Sequence, residues 1–182
     1  PVHESDGVVY FRTHYYGGIK KYQWTCIPMA LIGVVYTRSG KKVEINVGMK
    51  DDDPVFYISD LLIHMAQDQM KKTLAQGITG EQLQAICATH SEENLAAKDA
   101  LMKFFKDTYG IEEEDFATAE LELVPATKSR DVGFDRSLIA SYGQDDRVCS
   151  YANLEAILHA EPGEYTQAAL LTDKEEIGSY GN

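Results

Sequence analysis

The chain has 182 residues, of which 44% are hydrophobic and 25% are charged, a composition typical of globular proteins that bury a core. Its formal net charge of -12 leaves no basic surface for phosphates, so we expect neither nucleic acid nor an anionic membrane as a partner, whereas cation binding is compatible with this charge. The longest apolar run, Ile27 to Tyr36, is about half of the ~20 residues that a membrane-spanning helix requires.

The first fifty residues are rich in strand-forming sequences. β-Branched and aromatic residues from Gly7 to Tyr16 predict a strand that Gly17-Gly18 interrupts, and a shorter run covers Tyr22 to Cys26. The clearest hairpin joins Leu31–Thr37 to Val43–Val47, where apolar and polar residues alternate strictly. Short strands joined by tight turns predict a small barrel or sandwich.

An acidic turn follows at Asp51–Asp53. Three consecutive carboxylates could bind Ca²⁺, but calcium loops space their ligands at alternate positions, so we favour a solvated turn over a calcium-binding module. A last strand, Val55–Ile58, completes this part of the chain.

Two helices are predicted next. The first begins at the N-cap Ser59 and ends at Gly77, with an apolar stripe and with His64 beside it. The second runs from Glu92 or Leu95 to Thr108 and stops at Gly110. The buried sides are predicted to contain Leu61, Leu62, Met65, Met70 and Leu74 in the first helix, and Leu101, Phe104 and Phe105 in the second.

The pattern changes after the acidic run that ends at Asp115. A strand is predicted at Ala119–Val124, a helix at about Asp146–Ala160 and an apolar strand at Tyr165–Thr172. This succession is typical of a sheet covered by helices. We therefore predict two domains, residues 1–113, β-rich with two helices, and residues 114–182, with an α/β (α+β overall) fold class for the chain.

The cysteine content predicts a reducing compartment. The chain has three cysteines, Cys26, Cys87 and Cys149, which are far apart in sequence. Their number is odd and they form no Cys-x-x-Cys pair. A sparse set of this kind fits the cytoplasm better than a disulfide framework. We predict that Cys149 packs on the apolar side of its helix, because no basic neighbour that would activate it as a nucleophile is evident.

Two carboxylate pairs carry the candidate chemistry. Asp145-Asp146 precede the predicted helix, and Glu175-Glu176 follow the predicted last strand, so both pairs could reach the same sheet edge. A two-metal hydrolase needs bridging and terminal carboxylate ligands and a further carboxylate that accepts a proton from water. Taken alone, Asp173 to Glu176 would be a solvated acidic turn.

Several segments of the sequence form long motifs: Asp131–Ile139, Gly143–Tyr151 and Asp173–Ser179, with Tyr16–Gly18, Trp24, Asp53–Phe56 and Gly77–Gly80 upstream. These motifs resemble the aspartyl aminopeptidase and aminopeptidase I family of co-catalytic dizinc exopeptidases. The likeness extends over nearly the whole chain, and two long motifs at this separation are a strong signal.

The resemblance implies roles for four residues. Asp145 would bridge two divalent metal ions, expected to be zinc, Glu176 would be a terminal ligand and Glu175 the general base. Residues up to about 113 would form a lid or dimerisation domain, and His64 in its Ile63-His64 segment would complete the active site of a neighbouring subunit. The implied partners are peptide substrates with acidic or neutral N-terminal residues, and a homo-oligomer built from dimers, up to a dodecamer.

Some family ligands have no counterpart in this sequence. The family supplies a His-x-Asp motif upstream, where this chain has only Pro1-Val2-His3, and an aspartate and a histidine downstream of the glutamate pair, where the sequence stops at Asn182. We therefore expect a piece of a longer metallo-aminopeptidase, inactive and without bound metal by itself. The alternative is a non-catalytic lid or oligomerisation module.

Overall fold

Strand β3, Pro28–Tyr36, is the longest strand and organises the first part of the chain. The computed structural model describes residues 2–89 and 96–177. Two compact units are present: the first comprises Pro1–Tyr15 and Ile19–Thr127, and the second comprises Tyr16–Gly18 and Lys128–Asn182.

The first unit contains one seven-stranded sheet whose pairs are all antiparallel. Besides β3, its strands are β1 Val2–Ser5, β2 Val8–Arg12, β4 Lys42–Val47, β5 Phe56–Tyr57, β6 Gln84–Thr89 and β7 Glu120–Pro125. β3 pairs with β4 through Leu31–Tyr36, with β5 through Pro28 and Met29, and with β7 through Met29–Val34. The remaining strands join as β1-β2-β6-β5.

The predicted hairpin is confirmed as β3 and β4. Val43 and Ile45 point to the core and their neighbours are exposed, as strict alternation requires of a sheet with one buried face. The core has two clusters, one around Val35 and Ile45 and the other around Met29 and Ile78. The run Tyr22–Cys26 is not a strand, because Lys21–Trp24 forms a 3₁₀ turn.

The helix predicted from Ser59 to Gly77 is wrong. Only a 3₁₀ turn, Gln69–Lys71, and the short helix α1, Leu74–Gly77, are formed. Asp60 supplies the reason, since its Oδ1 accepts hydrogen bonds from the Leu61 backbone N–H (2.7 Å) and from Gln69 Nε2 (2.8 Å), which compete with helix formation. The predicted apolar stripe is exposed and gains no burial: Leu61 49%, Leu62 65%, Met65 71%, Met70 68% and Leu74 74%.

The second predicted helix is confirmed as α2, Ala97–Tyr109. It ends because Gly110 takes the left-handed conformation with φ 69°, and its N–H donates to the Lys106 carbonyl at 2.9 Å. Phe105 is buried and meets Phe116 edge to face at 5.1 Å. Phe104 is 49% exposed, so its predicted burial is wrong.

The described residues of the second unit form a small hairpin and one α-helix. The hairpin pairs β8, Arg130–Val132, with β9, Leu138–Ala140, and the helix is α3, Gln144–His159. No strand forms in the described residues 165–172, where Leu170 is 83% exposed, so the predicted last strand is wrong. A strand needs hydrogen-bonded neighbours, and this segment has none among the strands described.

Mixed strand and helix content confirms the predicted α/β (α+β overall) class. β7 pairs with β3, so the first unit continues to Thr127, whereas the sequence predicts a boundary after residue 113. The assignment of residues 1–113 to a lid and of 114–182 to a catalytic segment stays a prediction. None of the helices in the described ranges is long and apolar enough to cross a bilayer.

Candidate functional site

Asp145 and Asp146 occupy the entrance to α3 and have different environments. Gly143 precedes them with φ 76°, and neither aspartate has helical backbone angles. Asp146 Oδ1 accepts a hydrogen bond from the Cys149 N–H at 3.3 Å, the bond that an N-cap residue makes. Both carboxylates are exposed. Asp146 starts the regular helix, and Asp145 lies directly before that start.

Arg147 stabilises the turn that carries this pair. Its Nη1 donates to the Tyr142 carbonyl at 2.8 Å, and its backbone N–H donates to the Gly143 carbonyl at 3.2 Å. A Cβ at Gly143 would lie 3.3 Å from the Arg147 guanidinium carbon, so glycine provides both the positive φ and the space. The sequence Gly143–Arg147 thus fixes the chain direction at Asp145.

Cys149 is exposed, contrary to the prediction that it packs on the apolar side of α3. Hydrogen bonding to Asp146 and the negative charge of that carboxylate raise the pKa of the Cys149 thiol. The thiol therefore remains protonated near neutral pH. This environment does not suit a nucleophilic cysteine.

Glu176 lies in the 3₁₀ turn Glu175–Ile177, against a second segment of the same unit. Its Oε1 accepts a hydrogen bond from the Gly18 N–H at 3.2 Å. A Cβ built on Gly17, whose φ is 69°, would lie 2.1 Å from Glu176 Cγ. The side chain of Glu176 therefore occupies space that only a glycine at position 17 leaves open.

Tyr16 contacts both ends of the same turn. Its hydroxyl donates to the Lys174 carbonyl and accepts from the Ile177 N–H at 3.1 Å. The preceding residue adds a local bond, because Asp173 Oδ1 accepts from the Lys174 N–H at 2.8 Å. The side chain of Glu175, the predicted general base, lies outside the described part of the chain.

His64 belongs to the first unit and lies in an exposed turn rather than on a helix. Two backbone bonds close this turn, Met65 N to the Leu62 carbonyl at 2.8 Å and Ala66 N to the Ile63 carbonyl at 3.3 Å. Ala66 is 3% exposed and fixes one end of the turn in the core. The imidazole is thereby held at the surface.

The structure brings Asp145 and Glu176 into one unit, and each presents an exposed carboxylate. Such oxygens suit zinc as individual ligands. No group of three or more His, Cys, Asp or Glu side chains within 2–89 and 96–177 could hold a metal ion. The described residues therefore complete no zinc shell, and the metal-binding roles of Asp145 and Glu176 stay predictions.

Sequence reasoning gave no role to Tyr16, Gly17 and Gly18, although they are part of a matching segment. The sequence predicts only that the glycine pair interrupts a strand, which is the usual meaning of such a pair. The signal that could have identified these residues is a glycine pair that directly follows an aromatic residue inside a segment that matches the family. Their contacts join residues 158 positions apart, a separation that local patterns do not reveal.

Comparison with known proteins gives consistent matches over the chain. The family model described as Aminopeptidase I zinc metalloprotease (M18) matches residues 1–182. A probable M18 family aminopeptidase 1 of Clostridium acetobutylicum is 45% identical over 100% of this chain and 40% of that protein, and one of Thermotoga maritima is 46% identical over the same shares. The crystal structure of aminopeptidase I from Clostridium acetobutylicum superposes with a TM-score of 0.90 at 44% identity, covering 100% of this chain and 41% of that one.

Proposed function

Since the chain belongs to the aminopeptidase I zinc metalloprotease family, we propose that it is part of a zinc-dependent enzyme that removes N-terminal residues from peptides. The chain spans about 40% of the length of the curated relatives that it matches. The observation that carries the proposal is the Glu175–Ile177 turn, in which the Glu176 carboxylate is held by the Gly18 N–H next to a second glutamate.

Two carboxylates of this chain would hold the metal ions. Asp145, at the entrance to α3, is the proposed bridging ligand, and Glu176 is the proposed terminal ligand of one ion. Zinc accepts carboxylate oxygens at about 2.0–2.2 Å and is usually four-coordinate. A carboxylate offers about four lone-pair sites, and the Gly18 N–H occupies one of those of Glu176. The other lone-pair sites remain for a cation. The remaining ligands would come from residues outside this sequence.

Glu175 is the proposed general base. Bound zinc would supply Lewis acidity and lower the pKa of a water molecule. Glu175 would take a proton from the attacking water and return it to the amine that leaves when the peptide bond breaks. Because it is adjacent to Glu176, a ligand and a proton acceptor would be presented on one turn.

Replacement of Glu175 in the complete protein tests this role. We expect Glu175→Gln to lower kcat by about 10²- to 10⁴-fold at unchanged zinc content, because the amide cannot accept the proton. Glu164→Gln, which alters an exposed glutamate of the same unit, is the matched control and should keep full activity. Full peptidase activity of Glu175→Gln with its zinc retained would contradict the assignment.

His64 is proposed to act in the active site of a neighbouring subunit. Its exposed turn presents the imidazole outward, as such a role requires. We expect His64→Phe to reduce turnover in the complete protein while the oligomer stays intact, as measured by steady-state kinetics and light scattering. His14→Phe, at another exposed histidine of the first unit, is the control. Unchanged turnover in His64→Phe would count against the role.

Several finer properties complete the proposal. We propose acidic or neutral N-terminal residues as substrates, a homo-oligomer built from dimers, up to a dodecamer, two zinc ions for each active site and a cytoplasmic location. The rival interpretation is a non-catalytic lid or oligomerisation module. It predicts that the 182-residue chain by itself neither binds zinc tightly nor hydrolyses an aminoacyl chromogenic substrate, and tight zinc binding together with turnover would refute it.

A further inference from the structure

We propose that Tyr16, Gly17 and Gly18 form a clip that positions the Glu175–Ile177 turn and directs the Glu176 carboxylate, with Tyr16 as a positioning residue. The consequence for zinc rests on the proposed function, because it takes Glu176 as a ligand. The clip itself rests on contacts within one compact unit.

The Tyr16 hydroxyl contacts both ends of the turn. It donates its proton to the Lys174 carbonyl, and its oxygen accepts the Ile177 N–H at 3.1 Å. A phenol can do both at once because it has one donor and acceptor lone pairs. One side chain therefore bonds the backbone on either side of Glu175 and Glu176.

The glycine pair acts on the Glu176 side chain. The Gly18 N–H holds Oε1 at 3.2 Å, and Gly17 leaves the space that Cγ occupies. A Cβ at position 17 would be 3.0 Å from Glu176 Cβ as well as 2.1 Å from Cγ, so no rotation of the far end of the side chain relieves the clash. The carboxylate is directed by backbone atoms, which are more rigid than a side-chain partner.

Fixing a ligand carboxylate in this way has a known energetic effect. Outer partners of metal ligands set the orientation of the ligand, and their removal typically costs about 10- to 100-fold in metal affinity or activity. In the described part of the chain, Tyr16 bonds backbone atoms of the turn and not the carboxylate of the proposed ligand Glu176. Its removal should therefore weaken zinc binding less than displacement of Glu176 itself.

Two variants of the complete protein separate these contributions. Tyr16→Phe removes the hydroxyl and should raise the zinc Kd about 10-fold, whereas Gly17→Ala displaces Glu176 and should raise it about 100-fold. The control for the first is Tyr15→Phe, since Tyr15 is similarly exposed (41% against 38%). The control for the second is Gly110→Ala, which has the same φ of 69° but no heavy atom within 4 Å of the added Cβ.

The measurements are zinc Kd by competition with a chelator and, in metal-free protein, hydrogen exchange at the Ile177 amide. Loss of the hydroxyl should speed this exchange roughly 5-fold in Tyr16→Phe and leave it unchanged in Tyr15→Phe. Exchange at the wild-type rate in Tyr16→Phe would overturn the clip. A zinc affinity of Tyr16→Phe equal to that of Tyr15→Phe would overturn the positioning role of Tyr16.

The two proposals fail separately. If the wild-type protein binds no zinc, the proposed function is contradicted, and the exchange rate of the Ile177 amide still decides whether the clip exists. If the wild-type protein binds zinc and Tyr16→Phe binds it equally well, the proposed function stands and the positioning role is overturned. The zinc Kd of Gly17→Ala is compared with that of Gly110→Ala at equal folded fraction. If Gly17→Ala does not fold, Tyr16→Phe provides the test.

Discussion

Gly33 is the position where the pairing of β7 with β3 is most easily disrupted. It pairs with Ile45 of β4 on one side and Leu121 of β7 on the other, with φ 139°, a conformation that L-residues rarely adopt. A Cβ there would lie 2.0 Å from the Glu120 carbonyl oxygen, far inside the 3.4 Å at which ordinary contact begins. Gly33→Ala therefore forces β7 away from β3.

The loss of folding stability in Gly33→Ala has two parts. Backbone strain contributes about 1–3 kcal/mol, and two lost ladder hydrogen bonds contribute about 0.5–1.5 kcal/mol each. We expect Gly33→Ala to lower the free energy of unfolding by about 2–6 kcal/mol. The control is Gly40→Ala, with φ 81° and no atom within 4 Å, where strain alone costs about 1–2 kcal/mol.

Urea unfolding of the 182-residue chain, followed by fluorescence, measures this difference. Trp24 is the single tryptophan and packs against the core cluster around Met29, so it reports on the first unit. Hydrogen exchange should increase at the β7 amides in Gly33→Ala and not in Gly40→Ala. Equal unfolding midpoints for the two variants would refute the inference that β7 is an integral strand of this sheet, and with it the extension of the first unit to Thr127.

Two further predictions concern ionisable groups. Burial raises the pKa of the Cys87 thiol to about 12, so at pH 8 roughly 10⁻⁴ of it is thiolate. We expect iodoacetamide to modify Cys87 only after unfolding, and modification in the native protein would contradict this. Hydrogen bonds from the Glu112 and Arg38 N–H groups lower the pKa of Asp115, so its stabilisation is present above the unfolded pKa and is lost as pH falls through the folded value. In thermal melts, we expect Asp115→Asn to be less stable than the wild-type protein at pH 7 and to lose less stability than the wild type between pH 5 and pH 2. An equal loss of stability in the two proteins over this pH range would contradict the role of Asp115.

Sequence patterns predicted the elements in which local preference and burial agree. In β4, Val43 and Ile45 alternate with exposed residues and reach the core. In α2, Gly110 ends a run of helix-forming residues by taking the left-handed conformation. The segment after Ser59 has equally regular apolar spacing, but Asp60 offers the backbone another hydrogen bond and no core receives the stripe. Periodicity alone could not distinguish these cases, because it records spacing and not what lies opposite.

The sequence predicts the residue types of the candidate site but not the contacts that position them. The carboxylate pairs that contain Asp145 and Glu176 are recognisable from their motifs, and the roles of these two residues stay predictions. The different environments of Asp145 and Asp146 depend on where α3 becomes regular, which sequence places only to within a few residues. The contacts of Tyr16 depend on the tertiary fold, and no local pattern encodes a partner 158 residues away.

The sequence separation between Tyr16 and the turn that it holds has a consequence for synthesis. Residues 158 apart in the chain emerge from a ribosome on the order of 10–30 s apart at typical elongation rates. All strands of the seven-stranded sheet lie before Thr127, so that sheet can pair while Tyr16 still lacks its partners. The contacts of Tyr16 with Lys174 and Ile177 therefore form only after the whole sheet has been synthesised, so the sheet cannot depend on them to pair.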